Sequence, residues 1–288
     1  MERHYHFAGV DLSISMPEDR FYEHERRLAP FAVDAVADPH IFRFEIVDEL
    51  TPPAGDCLTR QPMFRVYGDG QQQVRYIGLG NERHKLGHIR ACHRGKAHDI
   101  QLLAGSYPGR ISARTVLNSI EAEHLIARNG GFIFHCSYID CGGSAILFTA
   151  PSETGKSTQA ELWKTLRGAQ IINGDRAAVR VVDGKAIAEG IPFAGSSNDC
   201  LNRSLPIAAV VYLGQAPVTS IRRMRGYEAF VRLWEGCSVN TWDKEDVELV
   251  SAAVKHLAET VPVYHLPCTP DESAVIALEN ELKKQVNL

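Results

Sequence analysis

The sequence predicts an α/β protein: an α/β core over residues 109–288, preceded by a mostly β part over residues 1–108. Three observations predict it. Apolar and polar residues alternate with the two-residue period of strands through the first hundred or so residues. From Ser112 a helical pattern opens, and strand and helix patterns then alternate to the C-terminus. At APSETGKST, residues 150–158, an apolar strand runs through a tight polar loop into a helix, the setting of a phosphate loop.

Taken in order, HFAGVDLSISM and IFRFEIV alternate as strands. TPPAGD, from Thr51, breaks the pattern. FRVYGDGQQQVRYIGL reads as two strands around a turn at Asp69-Gly70, and HDIQLLAG as a strand that closes the sheet. SARTVLNSIEAEHLIARNGG reads as one helix with Ser112 as N-cap, Val116, Ile120 and Leu125 on its apolar side, and Asn129-Gly130 as its stop. FIFHCSYID and SAILFTA are strands joined by Cys141-Gly142-Gly143. The helix after the loop carries Ala160, Leu162, Trp163 and Leu166 and ends at Gly168. AQIIN is a strand, AAVRVV and AIAEGI flank a turn at Asp183-Gly184, and AAVVYL is a buried strand. Helices are expected around Tyr227–Trp234, Glu245–Glu259 and Glu272–Lys284, with the strand VPVYHL before the last.

Composition limits the function classes. The 288 residues are 44% hydrophobic and 23% charged, as in a globular protein with ample core. A formal charge of −4 gives no global basic field, so no nucleic-acid or membrane partner is expected. The run LPIAAVVYLG is about half a membrane span, and MERHYHFAG has no apolar signal core. Seven scattered cysteines without a CxxC pair suit reduced thiols, and the expected location is the cytoplasm.

The general phosphate-loop pattern is G-x-x-x-x-G-K-[ST]. Gly155, Lys156 and Ser157 fit it, and Ala150 stands at the first glycine position. Backbone N–H groups of Ser152, Glu153, Thr154, Gly155 and Thr158, with the helix N-terminus, would face phosphate oxygens. Lys156 would bridge the β and γ phosphates, and the Ser157 hydroxyl would ligate Mg²⁺. Ala150 is harmless if its φ is negative. The Glu153 carboxylate is expected to turn to solvent or to a positive group, because beside a polyphosphate it is repelled.

FHCSYIDCGGSAILFTAPSETGKSTQAEL resembles the catalytic core of HPr kinase/phosphorylase and related serine kinases, whose P-loop fold is shared with phosphoenolpyruvate carboxykinase. The resemblance spans roughly residues 115 to 265 and rests on His135 ahead of the loop, on Ser152 to Ser157, and on the strand AQIIN running into Gly174-Asp175-Arg176. It implies an ATP- and Mg²⁺-dependent transfer of phosphate to a hydroxyl, with a serine of a peptide or protein as acceptor. Asp175, at the end of a short apolar strand, would hold the metal, accept the hydroxyl proton, or both. The family has two carboxylates here; with Gly174 in the first place, either Asp175 does both jobs or another acid, such as Glu189, contributes. His135 is either a partner of Asp175 and phosphate or a hydrogen-bonded structural histidine. The glycine- and arginine-rich sequence of HPr kinases is absent near IPFAGSSND, so the reverse phosphorylase activity is not implied.

Secondary candidates are Ser196 and Ser197 of that loop for acceptor or phosphate, and Arg176, Arg222, Arg223 and Arg225 for transition-state charge, set against an ordinary surface loop and a solvated charge run. In NERHKLGHIRACHRGKAHD, His84, His88 and Cys92 have a helical spacing that would suit zinc, but Gly87 weakens the helix and no carboxylate or second cysteine completes a set with His93 and His98; it reads as an exposed polar segment. The β-rich part is expected to recognise the acceptor or form a subunit contact in a homo-oligomer. Two alternatives stand beside the kinase: a nucleotide-binding regulatory or adaptor protein without transfer, and a kinase of a small alcohol such as free serine.

Overall fold

The computed structural model describes residues 1–17, 20, 27–78, 86–195 and 200–286. The fold is mixed α/β, with two large mixed sheets and six α-helices among the described residues. The chain forms two compact units, Met1–Ala122 and Glu123–Leu288. The division falls after the helix that follows Ser112, where the sequence places it at residue 108; that helix belongs with the first unit.

The first unit is a nine-stranded sheet of β1 (Glu2–Phe7), β2 (Val10–Ser15), β3 (Ala32–Val33), β4 (His40–Val47), β5 (Asp56–Arg60), β6 (Phe64–Gly68), β7 (Gln73–Ile77), β8 (Ile89–Arg94) and β9 (Ala97–Leu103). Its order is β3-β1-β2-β4-β9-β8-β7-β6-β5. The turn at Asp69-Gly70 joins β6 to β7, with Gly70 at positive φ and the Asp69 carboxylate accepting from the Gln71 and Gln72 amides. β9 lies inside the sheet, parallel to β4 and antiparallel to β8, so it does not close an edge.

Two readings are corrected in this unit. The segment around His88–His98 is a hairpin, not an exposed polar stretch: Cys92 and His98 are buried, and the His98 ring stacks on Phe42 at 4.1 Å. Strand alternation replaces the helical spacing, so His88 and Cys92 do not share a helix face; His84 lies outside the described residues. The single helix expected from Ser112 to Gly130 is two, α1 (Ala113–Ser119) and α2 (Ala122–Arg128). Glu121 between them has φ +46°, and its buried carboxylate is ion-paired to Arg75 at 2.7 Å. That contact joins residues far apart in the chain, so the local 3.6-residue period could not announce the break. Ser112 caps α1 as expected, accepting from the Thr115 amide.

The second unit contains β10 (Gly131–His135), β11 (Ser137–Cys141), β12 (Ser144–Thr149), α3 (Lys156–Arg167), β13 (Gln170–Asn173), β14 (Arg176–Val182), β15 (Lys185–Glu189), β16 (Ser204–Gln215), β17 (Arg222–Met224), α4 (Gly226–Trp234), β18 (Cys237–Ser238), α5 (Lys244–Thr260), β19 (Val263–Cys268) and α6 (Glu272–Val286). One run of pairing is β13-β11-β12-β16-β15-β14-β10-β18, and β19 pairs with both β16 and β17. FIFHCSYID is therefore two strands with Cys136 between them. β10 pairs with β14 and β11 with β12 and β13, so the chain changes partners at this residue.

β12 shows why this sheet lies within the unit. Leu147 packs with Val250, Val254 and Leu257 of α5 on one face; Ile146 and Phe148 pack with Ala160 and Trp163 of α3 and Leu278 of α6 on the other. An unbroken apolar run suits a strand covered on both sides. Each such side chain contributes about 1.5–3 kcal/mol by leaving water. Parallel pairing of β12 with β16 and of β16 with β19, and the shared antiparallel partner of β12 and β13, bring the C-terminal ends Thr149, Asn173, Gln215 and Cys268 to one end of the sheet. No helix among the described residues is long and apolar enough to cross a membrane.

Candidate functional site

The loop 150–155 leaves the C-terminal end of β12 and opens α3. Glu153 has φ +63° and Gly155 φ +113°, with Thr154 between them outside that region. A backbone that alternates between left- and right-handed residues can turn successive N–H groups into a concave nest for an anion. An added Cβ on Gly155 would meet nothing within 4 Å, so the mouth of the nest is open. Ala150 has no positive φ, and it is buried against the core beneath the loop. A methyl group therefore sits there without strain, as the sequence required of it. The first turn of α3 has no acidic side chain, which leaves the helix's positive end uncancelled.

Glu153 is exposed. Its charge thus faces water, one of the two orientations expected, but its backbone occupies a conformation better suited to glycine. Glu153→Gly is expected to stabilise the fold by about 1 kcal/mol through relief of the left-handed strain. It should also tighten the hold of this loop on an added polyphosphate several-fold by removing roughly 1 kcal/mol of repulsion. Thermal melts and calorimetric titration measure the two effects; weaker binding would instead give the carboxylate an attractive role.

Lys156 is buried, and its Nζ donates to the Ala150 and Pro151 carbonyls at 3.0 and 3.2 Å. Burial lowers its pKa, and the charge of Asp175 opposes that shift. The ammonium is thus largely removed from water and, among the described residues, hydrogen-bonded to neutral oxygens. Ser157 and Thr158 are exposed on the first turn of α3.

Asp175 follows β13 at the same end of the sheet as the loop. Its Oδ1 is 3.5 Å from His135 Nε2, and Arg176 Nε donates to Oδ2 at 3.1 Å. The hydrogen bond from His135 lowers the carboxyl pKa against the effect of burial, and Arg176 adds to the lowering. The group is an anion at neutral pH. His135 and Arg176 face each other in the β10–β14 register, so one backbone pairing positions both side chains beside the carboxylate.

Asn173 builds this corner. It is fully buried; its Oδ1 accepts from the Asp175 and Arg176 amides at 2.9 and 3.0 Å. Its Nδ2 donates to the Ile191 and Phe193 carbonyls at 3.1 and 3.0 Å. One side chain thereby ties the Asp175 turn to the loop 191–195. Ser137 Oγ holds the Gly174 carbonyl, and the Cys136 amide holds that of Asp175. An added Cβ on Gly195 would lie 3.0 Å from Asp175 Cβ, so the loop passes directly over the carboxylate. Sequence reasoning passed over Asn173; an asparagine ending a strand two residues before an aspartate is the signal of an Asx turn. Asn173→Ala leaves two amides and two carbonyls without partners and should destabilise by about 2–3 kcal/mol. A melting temperature lower by roughly 4–12 °C is the expected measure.

The remaining candidates separate. Glu189 is held by Arg180 at 3.1 Å and by the Ser204 hydroxyl, so its carboxylate is already engaged. Arg222 forks onto Glu228, and Arg223 is exposed beside it. Ser196 and Ser197 lie outside the described residues. His124, Asp243 and Asp246 bring ligand atoms within 4.8 Å of one another, but Arg128 lies 3.5 Å from Asp246 and 3.9 Å from Asp243 and already supplies a cation there. Beside the loop, Glu153, Thr154, Gly155 and Thr158 share a cavity of about 580 Å³ with Leu213, Pro217, Cys268 and Pro270. An anion-binding nest, a buried ammonium, an ionised carboxylate and an adjoining apolar cavity are the elements needed to hold a nucleoside polyphosphate.

No family model and no curated protein matches the chain. Among solved structures it is similar to the HPr(Ser) kinase/phosphatase from Coxiella burnetii, at 13% identity and a TM-score of 0.31, over 53% of this chain and 98% of that one. A likeness this distant assigns no activity.

Proposed function

We propose that the protein is an HPr kinase-like phosphotransferase that moves the γ-phosphoryl group of ATP to a hydroxyl, with a serine of a peptide or protein as acceptor. One observation supports this above the others: the buried Lys156 of the loop and the Asp175 carboxylate stand at the same end of the sheet, beyond the C-terminal ends of β12 and β13. Phosphoryl transfer needs little from a protein beyond position and charge, and these are what the site supplies. The loop amides and Lys156 would hold the phosphates. Ser157 and Asp175 are the oxygen donors that would hold Mg²⁺, a hard cation suited to hydroxyl and carboxylate ligands. When bound, that ion neutralises charge on the transferring phosphate.

With its pKa held below the usual carboxylate value, Asp175 is a weak base. It would accept a hydrogen bond from the acceptor hydroxyl and orient it, taking the proton only as the hydroxyl becomes acidic in the transition state. Arg176 and His135 keep it ionised and fixed. The β-rich first unit would recognise the acceptor or join subunits, and the cytoplasm is the expected compartment.

The test is incubation with γ-labelled ATP and Mg²⁺ alongside serine-containing peptides, carrier proteins and free serine. Label on a peptide or protein serine supports the proposal. Label on free serine alone moves the acceptor to a small alcohol. Binding of ATP without transfer to any acceptor overturns the kinase and leaves a nucleotide-sensing protein.

A further inference from the structure

A second cavity of the same unit, about 740 Å³, lies between β17, the start of α4 and α5. Its lining includes the apolar side chains of Met224, Phe230 and Val261, the cations of Arg223, Arg225 and Lys255, and one carboxylate, Glu259, which lies 4.0 Å from the Lys255 ammonium. Among the described residues neither Arg223 nor Arg225 has a carboxylate partner, whereas Arg222 is engaged by Glu228. Tyr227, also at the cavity, leaves 84% of its surface in water.

The backbone beside the cavity is equally open. β17 pairs with β19 on one side and, among the described residues, with no strand on the other. Arg225 continues in extended conformation, φ −146° and ψ 162°, so the free edge runs past Met224. Charged residues on an edge strand can serve only to repel other strands. Here they stand over an apolar cavity with an exposed aromatic ring, which a guarding role does not require.

We propose that this edge and cavity dock an extended acidic peptide segment carrying an apolar side chain. The segment adds a strand to β17, its carboxylates meet Arg223 and Arg225, and its apolar side chain enters the cavity. Charge complementarity selects this occupant: Arg223 and Arg225 are exposed, have no carboxylate partner among the described residues, and line the cavity together with apolar side chains. The site deepens the reading as a serine kinase and rests on it for its purpose. Val261 lines this cavity, and Cys268, at the far end of β19, lines the one beside the phosphate loop. Seven residue steps separate them, about 23 Å at ~3.3 Å per residue of extended chain. A peptide anchored here would therefore present a serine about seven residues away to the site of transfer.

The experiment selects random displayed peptides of about twelve residues against the full-length protein and measures the winners by fluorescence polarisation. Winners rich in Asp and Glu around an apolar residue are expected. The Arg223→Glu/Arg225→Glu variant should bind them at least about tenfold more weakly, and Tyr227→Ala should weaken them less. Lys156→Ala should bind them unchanged, which separates docking from the phosphotransfer reading. Neutral or basic winners, no winners, or equal binding by the Arg223→Glu/Arg225→Glu variant overturns the proposal. Acidic winners on a protein that transfers no phosphate leave the dock standing and remove the kinase.

Discussion

Lys156→Ala is expected to weaken ATP binding by about 30- to 1,000-fold, the 2–4 kcal/mol typical when one partner of a desolvated charge pair is removed. Transfer should fall with it. The reason lies in the site itself: Lys156 is buried, its hydrogen-bond partners among the described residues are the Ala150 and Pro151 carbonyls, and the first turn of α3 carries no second cation. Calorimetric titration with ATP and Mg²⁺ measures the loss, and unchanged affinity would remove the loop from the mechanism. The same residue makes a prediction about stability. Its pKa is lowered in the folded protein, so between that value and 10.5 the unfolded chain binds more protons than the native one. Stability from this group therefore rises with pH through that window. Lys156→Met carries no ammonium to desolvate. Its melting temperature relative to the unaltered protein should be most favourable near neutral pH, and the advantage should shrink as pH approaches 10.5.

Asp175→Asn should lower the rate of transfer by about 10²- to 10⁴-fold, the range for loss of a positioned proton acceptor. Asparagine keeps the shape and the backbone bonds that Asn173 makes to this turn, so the effect should fall on turnover more than on folding. Single-turnover measurement at saturating ATP separates the two. The pH dependence has the same sign as that of Lys156, stability rising with pH, but in an acid window, and Asp175 adds stability where Lys156 costs it. The folded pKa of Asp175 lies below 3.8, so its stabilising contribution is complete above the unfolded value and is lost as pH falls through the folded one. Asp175→Asn should lack that acid-side decline. If transfer persists at the unaltered rate, the carboxylate has no part in the chemistry.

The elements legible in the sequence were those with local causes. Ser112 as an N-cap, Gly168 as a left-handed helix end and the Asp183-Gly184 turn, with φ of +49° and +74°, each depend on residues a few positions apart. The phosphate-loop spacing is of the same kind. What escaped were features made by distant pairings. Glu121 stands at a helix break with its carboxylate on Arg75, and Cys136 divides an apolar run where β10 and β11 join different partners. Glu189 looked available until its register beside β14 placed it on Arg180.

The chain's own order of residues determined that a strand, a glycine-lysine loop and a helix would follow one another, and that an aspartate would end a later short strand. Proximity and the protonation it enforces were decided only in three dimensions. Parallel directions bring Thr149 and Asn173 to one end of the sheet, Asn173 turns the chain so that Asp175 meets His135, and burial sets Lys156 against the field of that carboxylate. The physical reason is range: caps and turns depend on neighbours along the chain, whereas charge and desolvation depend on neighbours in space.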